Sequence, residues 1–183
     1  GEFLNNMRSA NAFPVDDLDM VLSLSTEFWS CFGGARIFMT GGTGFVGSWL
    51  LQVMQRANDK LGTRLEFVVL SRSPDRAMDV APHIFSRTDT TLLCGDITDF
   101  SQPFGRFDLC IHAASEVGNP REAENPLKVF DSIVQGTRRV LDMADKSGVQ
   151  NFLLTSSGAV YGAQPAVMEK VSEQYLGAPD CLL

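Results

Sequence analysis

Residues 36–51 read RIFMTGGTGFVGSWLL, and this stretch decides the fold of the chain. A short apolar run comes first, and glycines then recur at every third position as Gly41, Gly44 and Gly47. Apolar residues at helical spacing follow as far as Ala57. The pattern predicts a strand, a tight turn and a helix, in that order.

Each of these glycines has its own physical reason. A side chain at Gly41 would block the turn, one at Gly44 would keep the backbone away from a pyrophosphate, and one at Gly47 would hold the helix off the strand. The helix that begins near Phe45 directs its N–H groups and the positive end of its dipole at such phosphates. An ordinary strand-to-helix turn is the alternative, but the flanking strand and the long amphipathic helix favour dinucleotide binding.

Composition bounds the class of protein. The 183 residues suffice for one sizeable core and are few for two, and 44% hydrophobic with 20% charged residues is typical of soluble globular chains. No apolar run approaches the roughly 20 residues of a membrane span, and no N-terminal segment resembles a signal peptide, so we expect a cytoplasmic protein without a membrane partner. The net charge of −7 argues against a nucleic-acid partner, which would require a basic face.

The cysteines favour a reduced compartment and no metal. The four cysteines lack the paired spacing of a zinc site. Cys94 and Cys110 lie inside apolar runs, and we expect both in the core.

The segment before the glycine turn predicts an added helix over residues 16–32, capped by Asp16 or Asp17. We expect this helix to pack on the flank of the domain rather than to bind a partner. Its apolar face would consist of Leu18, Val21, Leu22, Phe28, Trp29 and Phe32. Residues 1–34 are thus predicted to be an N-terminal extension, 35–162 a dinucleotide-binding domain, and 163–183 the start of a C-terminal substrate region.

Further apolar runs predict strands at 65–70, 91–94, 107–112 and 151–155, of the kind that is buried in a parallel sheet. A helix that opens at Asn125-Pro126 precedes the last strand. Its predicted apolar face comprises Leu127, Phe130, Ile133, Val134, Val140, Leu141 and Ala144. This alternation predicts the α/β class: a Rossmann-like, doubly wound parallel sheet in the order 3-2-1-4-5, with an added N-terminal helix.

Polar and small residues gather where these strands end, which is where such sheets bind ligands. Ser71 and Arg72 end the second strand, where an acid suits a free ribose 2′-hydroxyl and an arginine suits a 2′-phosphate, so the sequence favours NADP over NAD. His112 ends the fourth strand. A role as acid or base competes there with that of a satisfied core histidine, which is the commoner case.

Five motifs in order resemble the extended short-chain dehydrogenase/reductases, particularly the nucleotide-sugar epimerases and dehydratases. They are Thr40 to Gly47, Gly95-Asp96-Ile97, His112-Ala113-Ala114, Gly136-Thr137 and Thr155 to Gly162, and they span about residues 35–162. The resemblance implies hydride transfer to and from a nicotinamide. It also implies that Asp96 contacts the adenine, that residues 113–115 line the cofactor, and that Ser157, beside Ser156, hydrogen-bonds the reacting oxygen.

One part of the family's machinery is absent from this chain. In the family a tyrosine removes the sugar hydroxyl proton, and a lysine four residues later holds the ribose and lowers the tyrosine's pKa. Here Pro165 stands four residues after Tyr161, and Pro179 stands four residues after Tyr175. The family's usual asparagine ahead of Gly136 is also replaced, by Ile133, so its standard proton relay is in doubt.

Two explanations remain open. The chain is either the N-terminal part of a longer enzyme whose Tyr-Lys pair follows, or a binding module without chemistry. The retained Ser156 and Ser157 favour the first, with the chain alone inactive.

The sequence therefore predicts an NAD(P)-dependent sugar-nucleotide epimerase or dehydratase, present as its cofactor-binding half. The alternatives are an NADPH-dependent carbonyl or thioester reductase of the same fold, and a non-catalytic dinucleotide sensor. The predicted partners are the dinucleotide, a nucleotide sugar and a second copy of the chain in a homodimer. The predicted cofactor-binding residues are Gly41, Thr43, Gly44, Phe45, Val46, Gly47, Ser71, Arg72, Asp96, Ile97, Ala113, Ala114, Ser115 and Thr155.

Overall fold

The computed structural model describes residues 13–114 and 125–178, and it contains a five-stranded sheet in the order β3-β2-β1-β4-β5. The pairings of β1 with β2, β1 with β4 and β2 with β3 are all parallel. The order confirms the predicted doubly wound sheet. The strands are β1 (Arg36–Thr40), β2 (Glu66–Ser71), β3 (Thr90–Cys94), β4 (Leu109–His112) and β5 (Asn151–Leu154).

Six helices are present in these residues. They are α1 (Val15–Leu24), α2 (Thr26–Ser30), α3 (Phe45–Leu61), α4 (Pro74–Val80), α5 (Pro82–Phe85) and α6 (Pro126–Lys146). Within the described residues, none is both long and apolar enough to cross a membrane.

The core lies on both faces of the central strand, because successive side chains of β1 point to opposite faces. Ile37 and Met39 belong to one buried cluster, to which helices α1 to α5 contribute. Phe38 belongs to a second cluster, which includes Val140 and Met143 of α6. Helices on the two faces of the sheet therefore cover β1 completely, and the polar residues of β1 lie at its ends.

The N-terminal segment differs from the single helix predicted over 16–32. It forms α1 and α2, which are separated at Ser25. Pro14 occupies the N-cap of α1 and its carbonyl accepts the N–H groups of Asp17 and Leu18, so the predicted capping by Asp16 or Asp17 is wrong.

The predicted apolar face of this segment is also divided. Leu18, Leu22 and Trp29 are buried, whereas Val21 and Phe28 are exposed. A paired hydrogen bond from the Arg56 guanidinium to the Asp19 carboxylate, at 2.6 and 2.8 Å, fastens α1 to α3. The segment packs on the flank of the first unit, as we expected, but it does so with a narrower face.

The predicted apolar face of α6 is wrong in its N-terminal half. Val140, Met143 and Ala144 are buried against the sheet, but Leu127 and Phe130 are 75% and 59% exposed. At 3.6 residues per turn Phe130 lies only about 40° around the axis from Ala144, so the two groups differ mainly in their position along the helix. The sheet covers the C-terminal half of α6, and the apolar pattern does not show where along the helix that cover ends.

The expected burial of Cys94 is also wrong. Cys110 is buried in the central region of the sheet, and burial raises the pKa of its thiol to about 12. Cys94 is exposed, because it is the last residue of β3 and β3 is the edge strand of the sheet. An apolar run predicts a strand but does not show whether that strand lies at the edge.

The chain divides into two compact units between Leu153 and Leu154. In the second unit, Gly158–Tyr161 forms one 3₁₀ turn, and the backbone around Gly162 and Gly177 packs closely on the backbone near Ala178 and Tyr161. The functional boundaries at 34 and 162 stay predictions.

Candidate functional site

The turn between β1 and α3 is built around Gly41. Its φ is +71°, in the left-handed region that favours glycine, and its carbonyl accepts the N–H of Gly44 at 2.9 Å. A Cβ at Gly41 would overlap the Ala113 carbonyl and come within 2.5 Å of the Ala114 nitrogen. The turn after β1 therefore lies directly against the chain that leaves β4.

Gly47 is constrained by the turn backbone, and Gly42 is constrained by a side chain of β2. A Cβ at Gly47 would lie 2.6 Å from the carbonyl carbon of Gly41 and 2.9 Å from the Cα of Gly42. A Cβ at Gly42 would lie 2.7 Å from a methyl carbon of Val69. The constraint on Gly47 comes from the turn backbone rather than from the strand, and the constraint on Gly42 was missed by the sequence argument.

Gly44 differs from the other glycines of the turn. Its φ of −86° and ψ of 176° suit any residue, and a Cβ there would meet only the Gly41 carbonyl oxygen, at 3.2 Å. The chain packing alone therefore constrains Gly44 far less than the other glycines of the turn, because only the Gly41 carbonyl oxygen would have to give by a few tenths of an ångström. A glycine at this place keeps an open approach to the N-terminus of α3.

The first turn of α3 is open to solvent. Thr43, Phe45 and Val46 are exposed, and the first helical hydrogen bond runs from the Ser48 N–H to the Gly44 carbonyl. The N–H groups before Ser48 have no partner within the helix and point out of its end. The helix α3 has 17 residues, and the positive end of its dipole lies at the same N-terminus.

The carboxyl end of β2 places Ser71 and Arg72 differently. Ser71 is buried, its hydroxyl oxygen accepts the N–H of Ser73 at 3.2 Å, and its carbonyl accepts the N–H of Gly95 at 3.1 Å. Arg72 is exposed. Ser71 thus stabilises the loop through its hydrogen bonds, while the charged side chain of Arg72 is exposed to solvent.

Asp96, which follows β3, carries a stabilised negative charge. Its Oδ1 accepts hydrogen bonds from the hydroxyl of Thr98 at 2.6 Å and from the N–H of Thr98 at 2.9 Å. These bonds lower the pKa of Asp96 against the opposing effect of burial, and the positive charges of Arg72 and Lys128 lower it further. The structure therefore brings Arg72 and Asp96 into electrostatic reach, together with Lys128 of α6, which the sequence argument did not include.

The Asp96 loop is anchored to α6. A Cβ at Gly136 would come within 2.9 Å of the Ile97 side chain, so Ile97 seats on that glycine. Arg139 donates from its Nε to the Phe100 carbonyl at 3.0 Å. Ile97 therefore anchors the loop to α6. The Asp96 carboxylate lies nearer the surface than this contact.

His112 lies at the end of β4, beside Thr40 at the end of β1, and it is only 3% exposed. Its Nδ1 is 2.7 Å from the Thr40 hydroxyl, and its Nε2 is 3.0 Å from the Thr137 hydroxyl of α6. The Ala114 N–H donates to the same Thr40 hydroxyl at 3.2 Å. The geometry is that of a satisfied core histidine. Sequence reasoning missed both threonines, although each stands in one of the motifs quoted above.

Ala113 and Ala114 continue from β4 along the glycine turn and are half-buried, whereas Ser115 lies outside the described residues. Thr155, Ser156 and Ser157 belong to the second unit. Ser157 is exposed, and its hydroxyl oxygen accepts the N–H of Ala159 at 3.2 Å. It therefore caps the 3₁₀ turn, and its role towards a substrate stays a prediction.

The model of the NAD dependent epimerase/dehydratase family matches residues 37–179, which include β1 and its glycine turn. The chain belongs to this family. Family membership accounts for the five motifs together.

Relatives of the family differ in reaction. The chain is similar to a UDP-glucose 4-epimerase of Klebsiella pneumoniae, with 27% identity over 140 residues that make up 72% of this chain and 96% of that sequence. It is also similar to UDP-glucuronic acid decarboxylase 1 of Arabidopsis thaliana, with 33% identity over 128 residues, which are 69% of this chain and 27% of that protein. The relatives of this chain thus include an epimerase and a decarboxylase.

A solved structure supports the fold. It is a UDP-glucose-4-epimerase from Stenotrophomonas maltophila with bound NAD and formylated UDP-arabinopyranose, similar at a TM-score of 0.55 and 22% identity. The similarity covers 81% of this chain and 43% of that one. The chain therefore spans less than half of that structure, and at this identity the likeness shows the fold alone.

Proposed function

We propose that this chain is the cofactor-binding half of an NAD(P)-dependent nucleotide-sugar epimerase or dehydratase. The observation that carries the proposal is the contrast between Gly44 and the other glycines of the turn. Packing of the chain accounts for Gly41, Gly42 and Gly47, but it does not account for Gly44. An approaching pyrophosphate does account for it, because the phosphate oxygens would occupy the space that a Cβ would fill.

The surrounding residues fit such a group. The backbone N–H groups at the start of α3, which begins at Phe45, would hold the pyrophosphate. The ionised Asp96 would accept hydrogen bonds from the adenine, and Arg72 would bind the adenosine ribose or its 2′-phosphate. The backbone of Ala113 and Ala114 would line the cofactor beside the turn.

The chemistry follows from this arrangement together with the family. The nicotinamide, when bound, takes a hydride from a sugar carbon and returns it. The role proposed for Ser157, with Ser156 beside it, is to donate a hydrogen bond to the reacting sugar oxygen. The proton-transferring tyrosine and its lysine are proposed to lie in a part of the protein beyond this chain.

The charge at the end of β2 supports a preference for NADP. Arg72 is exposed, and its positive charge lies within electrostatic reach of Asp96, so a cation that would attract a 2′-phosphate stands at the end of β2. The same observation favours the second candidate, an NADPH-dependent carbonyl or thioester reductase. That enzyme would require NADPH and no nucleotide sugar.

Calorimetric titration of the chain with NAD, NADH, NADP and NADPH at one salt concentration tests the proposal. We expect saturable binding, with the phosphorylated forms preferred. A chain that is folded by circular dichroism and binds none of the four would overturn the assignment of the cofactor site. Equal binding of both pairs would retain the site and overturn the preference.

A homodimer and a cytoplasmic location complete the proposal. The exposed stripe of α6 that contains Leu127 and Phe130 offers an apolar surface on a rigid helix, which supports association with a second copy. The exposed Cys94 and Cys31 are free thiols, which suits a reducing compartment.

A further inference from the structure

The carboxyl ends of β1 and β4 are joined by side chains as well as by backbone. Thr40 and His112 are register partners in the parallel sheet, and their side chains meet within hydrogen-bond distance. Both are almost fully buried, at 1% and 3% exposure. The next residues along the two strands are Gly41 and Ala113, which form the close backbone contact of the candidate cofactor site.

The donors and acceptors of this cluster indicate one direction of hydrogen bonding. The Ala114 N–H can only donate, so Thr40 Oγ1 accepts from it, and the Thr40 hydroxyl proton is then available to His112 Nδ1. With Nδ1 as acceptor, the neutral imidazole carries its proton on Nε2, which donates to Thr137 Oγ1. The cluster thus forms a continuous chain of four groups from the β4 exit to α6.

The chain of hydrogen bonds links the backbone that leaves β4 to a long helix. Ala114 belongs to the segment that leaves β4, whereas Thr137 belongs to a 21-residue helix. Gly136, which precedes Thr137 in α6, packs against Ile97 of the Asp96 loop. One turn of α6 therefore supports both strand-end loops, and His112 connects it to the glycine turn.

We propose that His112 is a positioning residue, a neutral Nε2–H imidazole that acts through Thr40 and Thr137 to hold the Ala113–Ala114 backbone against Gly41. Its benefit to a dinucleotide rests on the proposed function. His112 is almost fully buried and does not touch the ligand in this role. Burial also lowers the pKa of His112, which agrees with a neutral ring.

The first test uses no ligand. The chain has two histidines, and His83 is exposed, so it serves as an internal control. Long-range ¹H–¹⁵N spectra should show His112 with its proton on Nε2, and this tautomer should persist at about pH 6.5, the ordinary pKa of histidine. A proton on Nδ1, or half-protonation of His112 at that pH, would overturn the proposal.

The second test separates positioning from folding. Thr40→Val removes the hydroxyl at nearly constant shape, and Thr40→Ser restores it. Amide exchange at Ala114 should speed up roughly tenfold or more in Thr40→Val and return close to wild type in Thr40→Ser. The reason is that the Ala114 N–H loses its acceptor in Thr40→Val, and an unmade buried hydrogen bond is costly. Unchanged exchange at Ala114 in a folded Thr40→Val protein would overturn the role of the hydroxyl.

The third test concerns the cofactor. NADPH affinity should fall roughly tenfold in Thr40→Val, recover in Thr40→Ser, and remain at the wild-type value in the control His83→Asn. Equal affinity in Thr40→Val and wild type would overturn the link between positioning and binding. A wild type that binds no NADPH would instead refute the proposed function, and the tautomer and the Ala114 exchange would still decide whether His112 holds the strand ends.

Discussion

Replacing Gly44 by alanine should weaken dinucleotide binding strongly and leave the fold almost unchanged. The native φ of −86° and ψ of 176° are accessible to alanine, and the new Cβ would meet only one backbone oxygen, at 3.2 Å. Alanine is a poorer N-cap than glycine by up to about 1 kcal/mol, whereas the reduced freedom of the unfolded chain returns about 0.4–1 kcal/mol. We therefore expect the free energy of unfolding to change by less than about 1 kcal/mol.

The effect on binding should be much larger. The Cβ would stand where the pyrophosphate approaches the start of α3, and the loss of one hydrogen bond to a charged group costs about 1.5–3 kcal/mol. The dissociation constant for NADPH should rise roughly 10- to 100-fold. Calorimetric titration measures this change, and thermal melting should show a midpoint within about 4 °C of wild type.

Gly47→Ala is the matched control, because it makes the same chemical change at the third residue of α3. Its Cβ would lie 2.6 Å from the carbonyl carbon of Gly41, so the turn must move. The gain of about 1 kcal/mol in helix propensity is set against about 1–3 kcal/mol of overpacking, and we expect a net loss of stability. Wild-type affinity in Gly44→Ala, or a Gly44→Ala protein less stable than Gly47→Ala, would refute the reasoning.

Four further predictions concern other parts of the molecule. Arg72→Ala should weaken NADPH binding about tenfold and NADH binding little, because only NADPH carries the 2′-phosphate; calorimetry that shows equal losses would contradict this assignment. Hydrogen bonds from its own loop lower the pKa of Asp96, so its charge stabilises the fold above about pH 4, and this contribution disappears as the pH falls through the lowered pKa. Asp96→Asn should therefore cost stability near pH 7 and progressively less towards acid, which a pH series of thermal melts measures; a constant cost would argue against it. Cys94 should react with iodoacetamide in the native protein while Cys110 reacts only after unfolding, because Cys110 is buried and its pKa is raised; mass spectrometry of the labelled peptides decides. Phe130→Asp should shift a sedimentation profile from dimer to monomer while the far-UV circular dichroism stays that of wild type, and an unchanged dimer would exclude this stripe of α6 as the interface.

The sequence was sufficient for the fold. Local signals set these features: the glycine spacing after an apolar run, the alternation of strands and helices, and the cap at Asn125, whose side chain accepts the Lys128 N–H as the sequence predicted. Such signals lie within a few residues of each other along the chain. They therefore specify elements, and the rules for parallel sheets specify the strand order.

The site could be predicted only in outline. The sequence placed Gly41, Arg72 and Asp96 at strand ends, and the structure shows Arg72 and Asp96 within electrostatic reach of each other. It did not reveal Lys128, which approaches Asp96 from another helix. Contacts between residues far apart in the chain depend on how helices rotate about their axes, and a periodic pattern leaves that rotation open.

The same limit explains what only the tertiary structure decided. Whether α6 buries Val140 or Phe130 follows from how much of the helix lies against the sheet, and whether Cys94 is buried follows from the place of β3 at the edge. The hydrogen bonds that join His112 to Thr40 span 72 residues of sequence. The sequence by itself determined the elements, their order and the glycine turn, because those depend on local sterics and periodicity. The tertiary structure decided which side chains meet, because meeting depends on the packing of elements that are distant in the chain.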